Sequence, residues 1–142
     1  LSHYSNHYSA GGDEALMDGI NGTIDWRKGD WQGYQGQDFE CIIDLGKPQN
    51  ISSISANFLQ DSRSWILFPT EVSFLISQNG IDFKEVKTIK NTISPQNNES
   101  QVYDFCHKLT QKTNAKFVKI KAKNFGILPR HRRCHLGRIY FN

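Results

Sequence analysis

The sequence predicts an all-β domain, built as an antiparallel sandwich or barrel. Nowhere in the 142 residues does an apolar stripe of helical period persist for four turns. Short segments in which apolar and polar residues alternate recur instead, with polar turn residues between them. Two of these segments flank Asn79-Gly80, the residue pair that gives the strongest short signal for a β-hairpin. Together these observations predict short strands that pair with neighbours along the chain.

The alternating segments predict seven or eight strands. The first has its apolar residues at odd positions from Phe39 to Leu45, and Gly46-Lys47-Pro48 ends it. The other segments span 54–58, 72–76, 81–88, 102–106, 117–122 and 138–141. The polar segment 91–100 is expected to be a mobile surface loop.

Length and charge limit the classes of protein to consider. A chain of 142 residues fits one domain with a single core, taken here as residues 1–142. Its 17 basic residues exceed its 14 acidic ones by three, too few to suggest a histone-like partner. No run approaches the roughly 18 apolar residues of a membrane span. The start of the chain lacks the pattern of a signal peptide and is interpreted as a cut domain or mature segment. A membrane protein, a disordered chain and a multidomain enzyme are excluded.

Three cysteines leave the cellular compartment open. Cys41, Cys106 and Cys134 cannot all pair, and none has the spacing of a metal ligand. Cys41 lies in a strand pattern and is interpreted as a buried thiol. Whether Cys106 pairs with Cys134 is left open.

Aromatic and arginine residues concentrate in three loop segments, 18–38, 59–69 and 124–137. No nucleophile elbow, Walker A sequence, zinc-protease motif or dinucleotide-binding glycine pattern is present, so catalysis is not expected. Loop aromatics beside arginines suit a sugar, whose apolar face stacks on a ring while its hydroxyls meet polar groups. The plainer interpretations are tryptophans that plug the core and arginines on a solvated loop. Nucleic-acid binding is not expected, because the alternating lysines of 116–123 are typical of a solvent-exposed strand face.

Several motifs then resemble the discoidin, or factor 5/8 type C, family in order and spacing. They are Ala15-Leu16-Met17-Asp18-Gly19, Asn21-Gly22-Thr23 with Trp26, residues 39–46, Ser77 to Phe83, residues 122–131 and Gly137-Arg138-Ile139. Within the family, Trp31 to Tyr34 and Trp65-Ile66 with Pro69 are most similar to modules at the C-terminus of bacterial hexosaminidases and chitobiases. Those modules resemble family 32 carbohydrate-binding modules.

The resemblance implies a jelly-roll β-sandwich, like the galactose-binding domains, that is not catalytic and binds glycans through loops at one end. Carried over by loop, the expected carbohydrate-binding residues are Trp31, Arg63, Trp65, His131 and Arg133. Trp26 is expected to plug the core. The tryptophan that precedes the family's histidine is Arg130 here, so that loop is expected to bind charge.

The resemblance also implies a structural calcium ion in the opening loop, which is residues 13–31 here. Asp18 matches the family's carboxylate ligand, Thr23 its hydroxyl and carbonyl ligand, and Ala15 supplies a carbonyl. Calcium requires six to eight oxygen ligands. The family's closing glutamate corresponds to Arg138, whose guanidinium cannot bind calcium and can pair with Asp18 instead.

The function expected from the resemblance is that of a non-catalytic module at the C-terminus of a larger glycoside hydrolase of the hexosaminidase or chitobiase type. It would direct the enzyme to glycans that contain galactose or N-acetylhexosamine. The expected partners are that glycan and the parent chain's catalytic domain, with the module itself a monomer. The expected location is secreted, periplasmic or on a bacterial cell surface. The alternatives are a discoidin module that docks a protein or an anionic lipid, and a structural spacer.

Overall fold

The computed structural model describes residues 1–127 and, as backbone, residues 138–141. This part of the chain contains six strands: β1 (Gln32–Gln35), β2 (Phe39–Gln60), β3 (Glu71–Ser77), β4 (Lys84–Lys90), β5 (Gln101–Lys123) and β6 (Arg138–Phe141). Three short 3₁₀ helices, Asp13–Met17, Trp26–Lys28 and Ser62–Ser64, lie in the connections. None of these helices is long and apolar enough to cross a membrane.

The strands form one antiparallel hydrogen-bonded array in the order β1-β6-β2-β5-β3-β4. Its main component is a ribbon of β2 and β5, which pair from Phe39 opposite Ala122 to Gln60 opposite Gln101. β3 pairs with the second half of β5, and β4 pairs with β3 at the edge. Each of the other strands therefore pairs either with this ribbon or with a strand that does.

Two register shifts bend the ribbon, one between Asp44 and Gln49 and the other between Ile51 and Ser53. The first shift contains Gly46, whose φ of 77° suits glycine, and Pro48, which has no N–H to donate. Past the shifts, the inward-facing positions of β2 change from odd to even numbers. The bulges therefore allow both halves of the strand to turn an apolar face toward the same interior.

Both halves of the ribbon contribute to one hydrophobic core. A straight strand of the length of β2 would extend for roughly 70 Å. Phe39 near its beginning and Phe58 near its end nevertheless belong to the same cluster. The ribbon must therefore fold over, so that the array forms the layers of a β-sandwich. Other buried members of this cluster are Tyr34, Ile54, Ala56, Phe68, Val72, Phe74, Phe105, Val118, Ile120 and Ala122.

The predicted all-β antiparallel fold is confirmed, with differences in how the segments join. Segments 39–45 and 54–58 are the two halves of β2, and 102–106 and 117–122 lie within β5. Six strands thus replace the seven or eight expected, because a strand continues through each bend. The hairpin at Asn79-Gly80 is present, although a six-residue loop, 78–83, joins β3 to β4. Strand β1 lies within segment 18–38, where no alternation of apolar and polar residues predicts a strand.

A second apolar cluster covers the opposite face of the ribbon's far end. Leu59 points away from Phe58 and packs with Trp31 and Ile66, and Tyr8, Trp26 and Val102 lie against them. This cluster anchors the opening loop to the ribbon, because Trp31 comes from that loop and Leu59 from β2. It thereby fixes the position of the loops that emerge at this end of the sandwich.

Candidate functional site

A tight hairpin loop, residues 61–66, emerges where β2 ends. The backbone groups of Asp61 and Ile66 exchange hydrogen bonds of 3.0 and 3.1 Å, which closes the loop. Within it, the amide of Ser64 donates to the carbonyl of Asp61 at 2.9 Å. Trp65 completes the turn in the left-handed region, with φ 64°, which is uncommon for a bulky residue. The backbone thus holds Asp61, Arg63 and Ser64 within one turn of chain.

The neighbouring loop presents Trp26 and Arg27 to this hairpin. The indole Nε1 of Trp26 donates to the hydroxyl of Ser64 at 3.2 Å. The edge of Tyr8 packs against the indole at a centroid distance of 5.7 Å, and the guanidinium of Arg27 lies 4.4 Å from its centroid. The ring of Trp26 is therefore held by protein groups on several sides.

Between these two loops lies an open cleft of about 490 Å³. It is lined by Ile24, Asp25, Arg27, Asp61, Arg63, Ser64 and Ser100. Asp61 is 5% exposed, and its Oδ2 accepts a hydrogen bond of 2.8 Å from Ser64. Its buried Oδ1 accepts no hydrogen bond from the part of the chain that the structure describes. A buried carboxylate oxygen without a donor is costly, so a ligand hydroxyl that donated to it would be favoured.

Among the described residues that line this cleft, the positive and negative side chains are equal in number. Arg27 Nη1 lies 3.5 Å from Asp25 Oδ1, and Arg63 Nε lies 3.7 Å from Asp61 Oδ1. The two arginine side chains remain 65% and 69% exposed, so most of their N–H groups are accessible. Two cations facing two anions create little net potential for a charged ligand. They supply hydrogen-bond donors and acceptors for a neutral polyhydroxyl ligand.

A larger groove, of about 570 Å³, lies along the N-terminal segment. Its polar groups bond to one another: the Tyr34 hydroxyl donates to Gln32 Oε1 at 2.7 Å, and the Tyr4 hydroxyl donates to Asp13 at 2.9 Å. Burial raises the pKa of Tyr34, so this hydroxyl stays neutral. The smaller cleft is the candidate ligand site, because its buried acceptor has no donor among the described residues.

The segment before β5 is docked against the hairpin and is not the free surface loop expected from its composition. The Ser62 hydroxyl lies 2.8 Å from the carbonyl of Pro95 and 2.9 Å from that of Asn97. Gln60 Nε2 donates to the carbonyl of Ser94 at 3.0 Å. Because Gln60 and Ser62 are both buried, these bonds fix segment 94–97 beside the cleft wall that Ser100 forms.

The structure corrects the expected role of Trp31. This residue is 1% exposed, so it has no ring face available for a sugar. Its Nε1 donates to the carbonyl of Thr23 at 2.8 Å, and its ring packs directly on Gly22. Trp31 is the fully buried plug of the opening loop, and Trp26, for which that role was expected, packs against the same cluster but is only partly buried.

The other expected carbohydrate-binding residues have different outcomes. Arg63 lines the cleft. Trp65 is partly buried in the same hairpin loop but is not among the residues that line the cleft. His131 and Arg133 lie outside the described residues. Of the three expected residues that the structure describes, Arg63 alone lines the cleft.

Two of the expected calcium ligands, Asp18 and Thr23, accept hydrogen bonds from their own loop. Asp18 Oδ1 accepts from the amide of Ile20 at 2.7 Å. The carbonyl of Thr23 accepts from Trp31, and its hydroxyl accepts from the amide of Asp25 at 3.3 Å. The described residues contain no group of three acidic, histidine or cysteine side chains able to hold a metal. With one carboxylate among the expected ligands, this set does not fit a calcium ion in the arrangement that the structure shows. Calcium binding itself stays a prediction of the resemblance.

Sequence reasoning missed Asp61, Ser64 and Arg27. Asp61 and Ser64 flank Arg63 in the segment that was singled out, but short polar residues in a turn usually serve the backbone. Their role depends on burial and on the approach of Trp26 from another loop, which no local pattern shows. Arg27 follows Trp26 directly, and it was missed because Trp26 was assigned to the core.

Comparison with solved structures shows a shared fold. The chain is similar to CpGH89CBM32-5 from Clostridium perfringens, solved in complex with GalNAc-β-1,3-galactose, with a TM-score of 0.58 and 14% identity over 99% of this chain and 90% of that one. The family 32 module from C. perfringens NanJ, in complex with galactose, gives 0.53 at 14% identity over 98% and 88%. A fucolectin from striped bass (Morone saxatilis) serum gives 0.57 at 15% identity, over 97% of this chain and 42% of that one.

Comparison with curated protein sequences finds no significant match. The family model of the F5/8 type C domain matches residues 2–132, which is nearly the whole chain. The motifs of the opening loop, the ribbon and the Asn79-Gly80 hairpin all lie within this match. The chain therefore belongs to the F5/8 type C domain family.

Proposed function

We propose that this domain binds a neutral glycan in the cleft between the Trp26 and Asp61 loops. The observation that carries this proposal is the buried Oδ1 of Asp61, which accepts no hydrogen bond from the described residues and belongs to a cleft that two exposed arginine side chains also line. A sugar hydroxyl can donate to the carboxylate and, with its lone pairs, accept from an arginine. The domain acts as a binding module without catalysis of its own.

Similar structures support a glycan as the ligand class. Two of them were solved with galactose or GalNAc-β-1,3-galactose, so galactose and N-acetylhexosamines are the first candidates here. In this proposal the domain directs a parent glycoside hydrolase, of the hexosaminidase or chitobiase type, to such glycans outside a bacterial cell. An open, wet site with few contacts is expected to bind with roughly millimolar to high-micromolar affinity.

The competing function is docking to an anionic lipid surface. Met17, Ile20 and Ile24 are exposed in the opening loop, as such a function would require. The same stretch also carries acidic residues, which an anionic surface would repel: Asp13, Glu14, Asp18 and Asp25. Combined with the balanced charges of the cleft, this composition favours a neutral ligand.

A glycan array tests the proposal with the wild-type domain and two variants, Asp61→Asn and Arg63→Ala. Wild type is expected to bind glycans with terminal galactose or N-acetylhexosamine. Each variant is expected to lose about tenfold or more, because a hydrogen bond to a charged group contributes roughly 1.5–3 kcal/mol. Lys28→Ala is the matched control, since Lys28 is exposed next to the same loop but does not line the cleft.

Ionic strength separates this function from the competing one. Glycan binding is expected to change little between 50 mM and 500 mM salt, whereas docking to vesicles containing phosphatidylserine should weaken steeply. Salt-sensitive vesicle binding by a folded domain that binds no glycan would replace the proposal by lipid docking. A domain that binds neither but self-associates would instead indicate a spacer that packs against its parent enzyme.

A further inference from the structure

The carboxylate of Asp61 has two oxygens in different environments. Oδ2 accepts the hydroxyl proton of Ser64 at 2.8 Å. Oδ1 is buried without a hydrogen bond from the described residues, and its one ionic neighbour is Arg63 Nε at 3.7 Å. A carboxylate held at one oxygen cannot rotate to exchange the two without breaking that bond. The bond from Ser64 therefore determines which of the two oxygens lacks a hydrogen bond from the described residues.

The direction of this bond is fixed by Trp26. An indole Nε1–H can only donate, and it lies 3.2 Å from the hydroxyl oxygen of Ser64. Ser64 has a single hydroxyl proton, and its oxygen already accepts from the indole. The proton must then point to Asp61, which gives a one-way chain from Trp26 through Ser64 to Asp61 Oδ2.

Trp26 is in turn held in place. Tyr8 packs edge-on against it, with an interplanar angle of 79°. The guanidinium of Arg27 lies over the ring at 4.4 Å, an attractive arrangement of a cation on an aromatic face. The same indole thus orients two groups of the cleft, Arg27 by its face and Asp61 through Ser64.

We infer that Trp26 and Ser64 are positioning residues that make the site selective for a ligand hydroxyl as a hydrogen-bond donor. Oδ2 already accepts the bond from Ser64, whereas Oδ1 accepts none from the described residues, so Oδ1 is the oxygen of Asp61 with the greater need for a donor. A deoxy or O-methyl sugar lacks the donor at that position and leaves Oδ1 unpaired, which penalises its binding. This inference rests on the proposed function, because it assigns the selectivity of the same cleft.

Calorimetric titration of the domain with galactose and its four monodeoxy derivatives, at carbons 2, 3, 4 and 6, tests the inference. Wild type is expected to bind one deoxy sugar about tenfold or more weakly than galactose. Ser64→Ala is expected to weaken galactose about fivefold while leaving that one deoxy sugar nearly unchanged. Such coupling between a protein and a ligand change would not result from a merely structural role.

Two further variants complete the design. Ser64→Thr keeps the hydroxyl and is expected to restore galactose binding to within about twofold. Trp26→Phe keeps a ring beneath Arg27 but removes the N–H, and it is expected to reduce discrimination between galactose and the deoxy sugar. Circular dichroism of each variant checks that it is folded.

The outcomes separate the two proposals. Equal weakening of every sugar by Ser64→Ala, or no weakening at all, would overturn the positioning role while leaving glycan binding intact. Failure of the folded wild-type domain to bind galactose or any arrayed glycan would overturn both. If Ser64→Thr bound galactose as weakly as Ser64→Ala, the positioning role of the Ser64 hydroxyl would also be contradicted.

Discussion

Gly22 determines how closely the opening loop approaches the ribbon. A Cβ atom at this position would lie 2.2 Å from Cε2 of Trp31 and 2.5 Å from Cζ2, inside van der Waals contact. Trp31 cannot withdraw easily, because it is buried and its Nε1 donates to Thr23 in the same loop. The glycine is needed for a close approach, and the side chain it approaches is the plug of the second cluster.

Gly22→Ala is therefore expected to destabilise the domain by about 1–3 kcal/mol, the usual cost of overpacking a well-packed site. For a domain of this size each kcal/mol lowers Tm by roughly 2–4 °C, which differential scanning calorimetry detects. Ile20→Ala, an exposed change in the same loop, is the control and is expected to leave Tm unchanged. A Tm equal to wild type in Gly22→Ala would mean that the loop does not pack on Trp31.

The difference between Trp26 and Trp31 explains why the site was predicted only in part. Both tryptophans lie in one glycine-rich loop, and nothing in their spacing tells which faces inward. The close contact between Gly22 and Trp31 shows that Trp31 is the one enclosed by the loop. That contact depends on the path of the whole loop and not on a local sequence pattern. Arg63 was predicted because the resemblance carries the family's sugar-contacting arginine over to this loop. Asp61 was missed because its burial depends on three separate loops.

Segment 94–97 shows how an element without periodicity becomes part of the fold. It has no apolar pattern, and its composition predicted mobility. Its carbonyl groups nevertheless receive hydrogen bonds from the buried side chains of Gln60 and Ser62. Polar side chains at the end of β2 thus add to the apolar contact that Ile93, directly before this segment, makes with the core. The alternating strands could be predicted from local pattern, whereas this docking could not.

Ser62→Ala is expected to loosen this segment. The shared hydrogen bond to Pro95 and Asn97 is lost, at a cost of about 1 kcal/mol and a Tm lower by roughly 2–4 °C. Hydrogen exchange at the Asn97 amide, which donates to Ser94 within the segment, should accelerate. Ser55→Ala, at an exposed position of the same strand, is the control. Unchanged exchange at Asn97 would show that the segment is held by other contacts.

At the scale of the whole molecule, packing and backbone hydrogen bonds join both walls of the cleft to the ribbon. The opening loop is joined to the ribbon by Trp31, and the hairpin of Asp61 is closed by its own backbone. Both walls therefore belong to one packed unit, so a ligand hydroxyl that reaches the buried Oδ1 of Asp61 requires a shift of side chains and not of the loops. Two of the residues that match the family's calcium ligands, Asp18 and Thr23, accept hydrogen bonds from neighbouring amides and from the indole of Trp31.

Calcium is accordingly expected to have no effect on stability. A ligand that binds only the folded state at 100 times its Kd adds about 2.7 kcal/mol, or roughly 5–11 °C in Tm for this size. Wild type should instead have the same Tm in 1 mM EDTA as in 5 mM CaCl₂. The Tm of Asp18→Ala should likewise not differ between these two conditions. The reason is charge: Asp18 would be the one carboxylate among the expected ligands, too few to offset the dehydration of a divalent ion. A rise in Tm with calcium that Asp18→Ala abolishes would show that the opening loop rearranges around the ion, exchanging its internal hydrogen bonds for coordination.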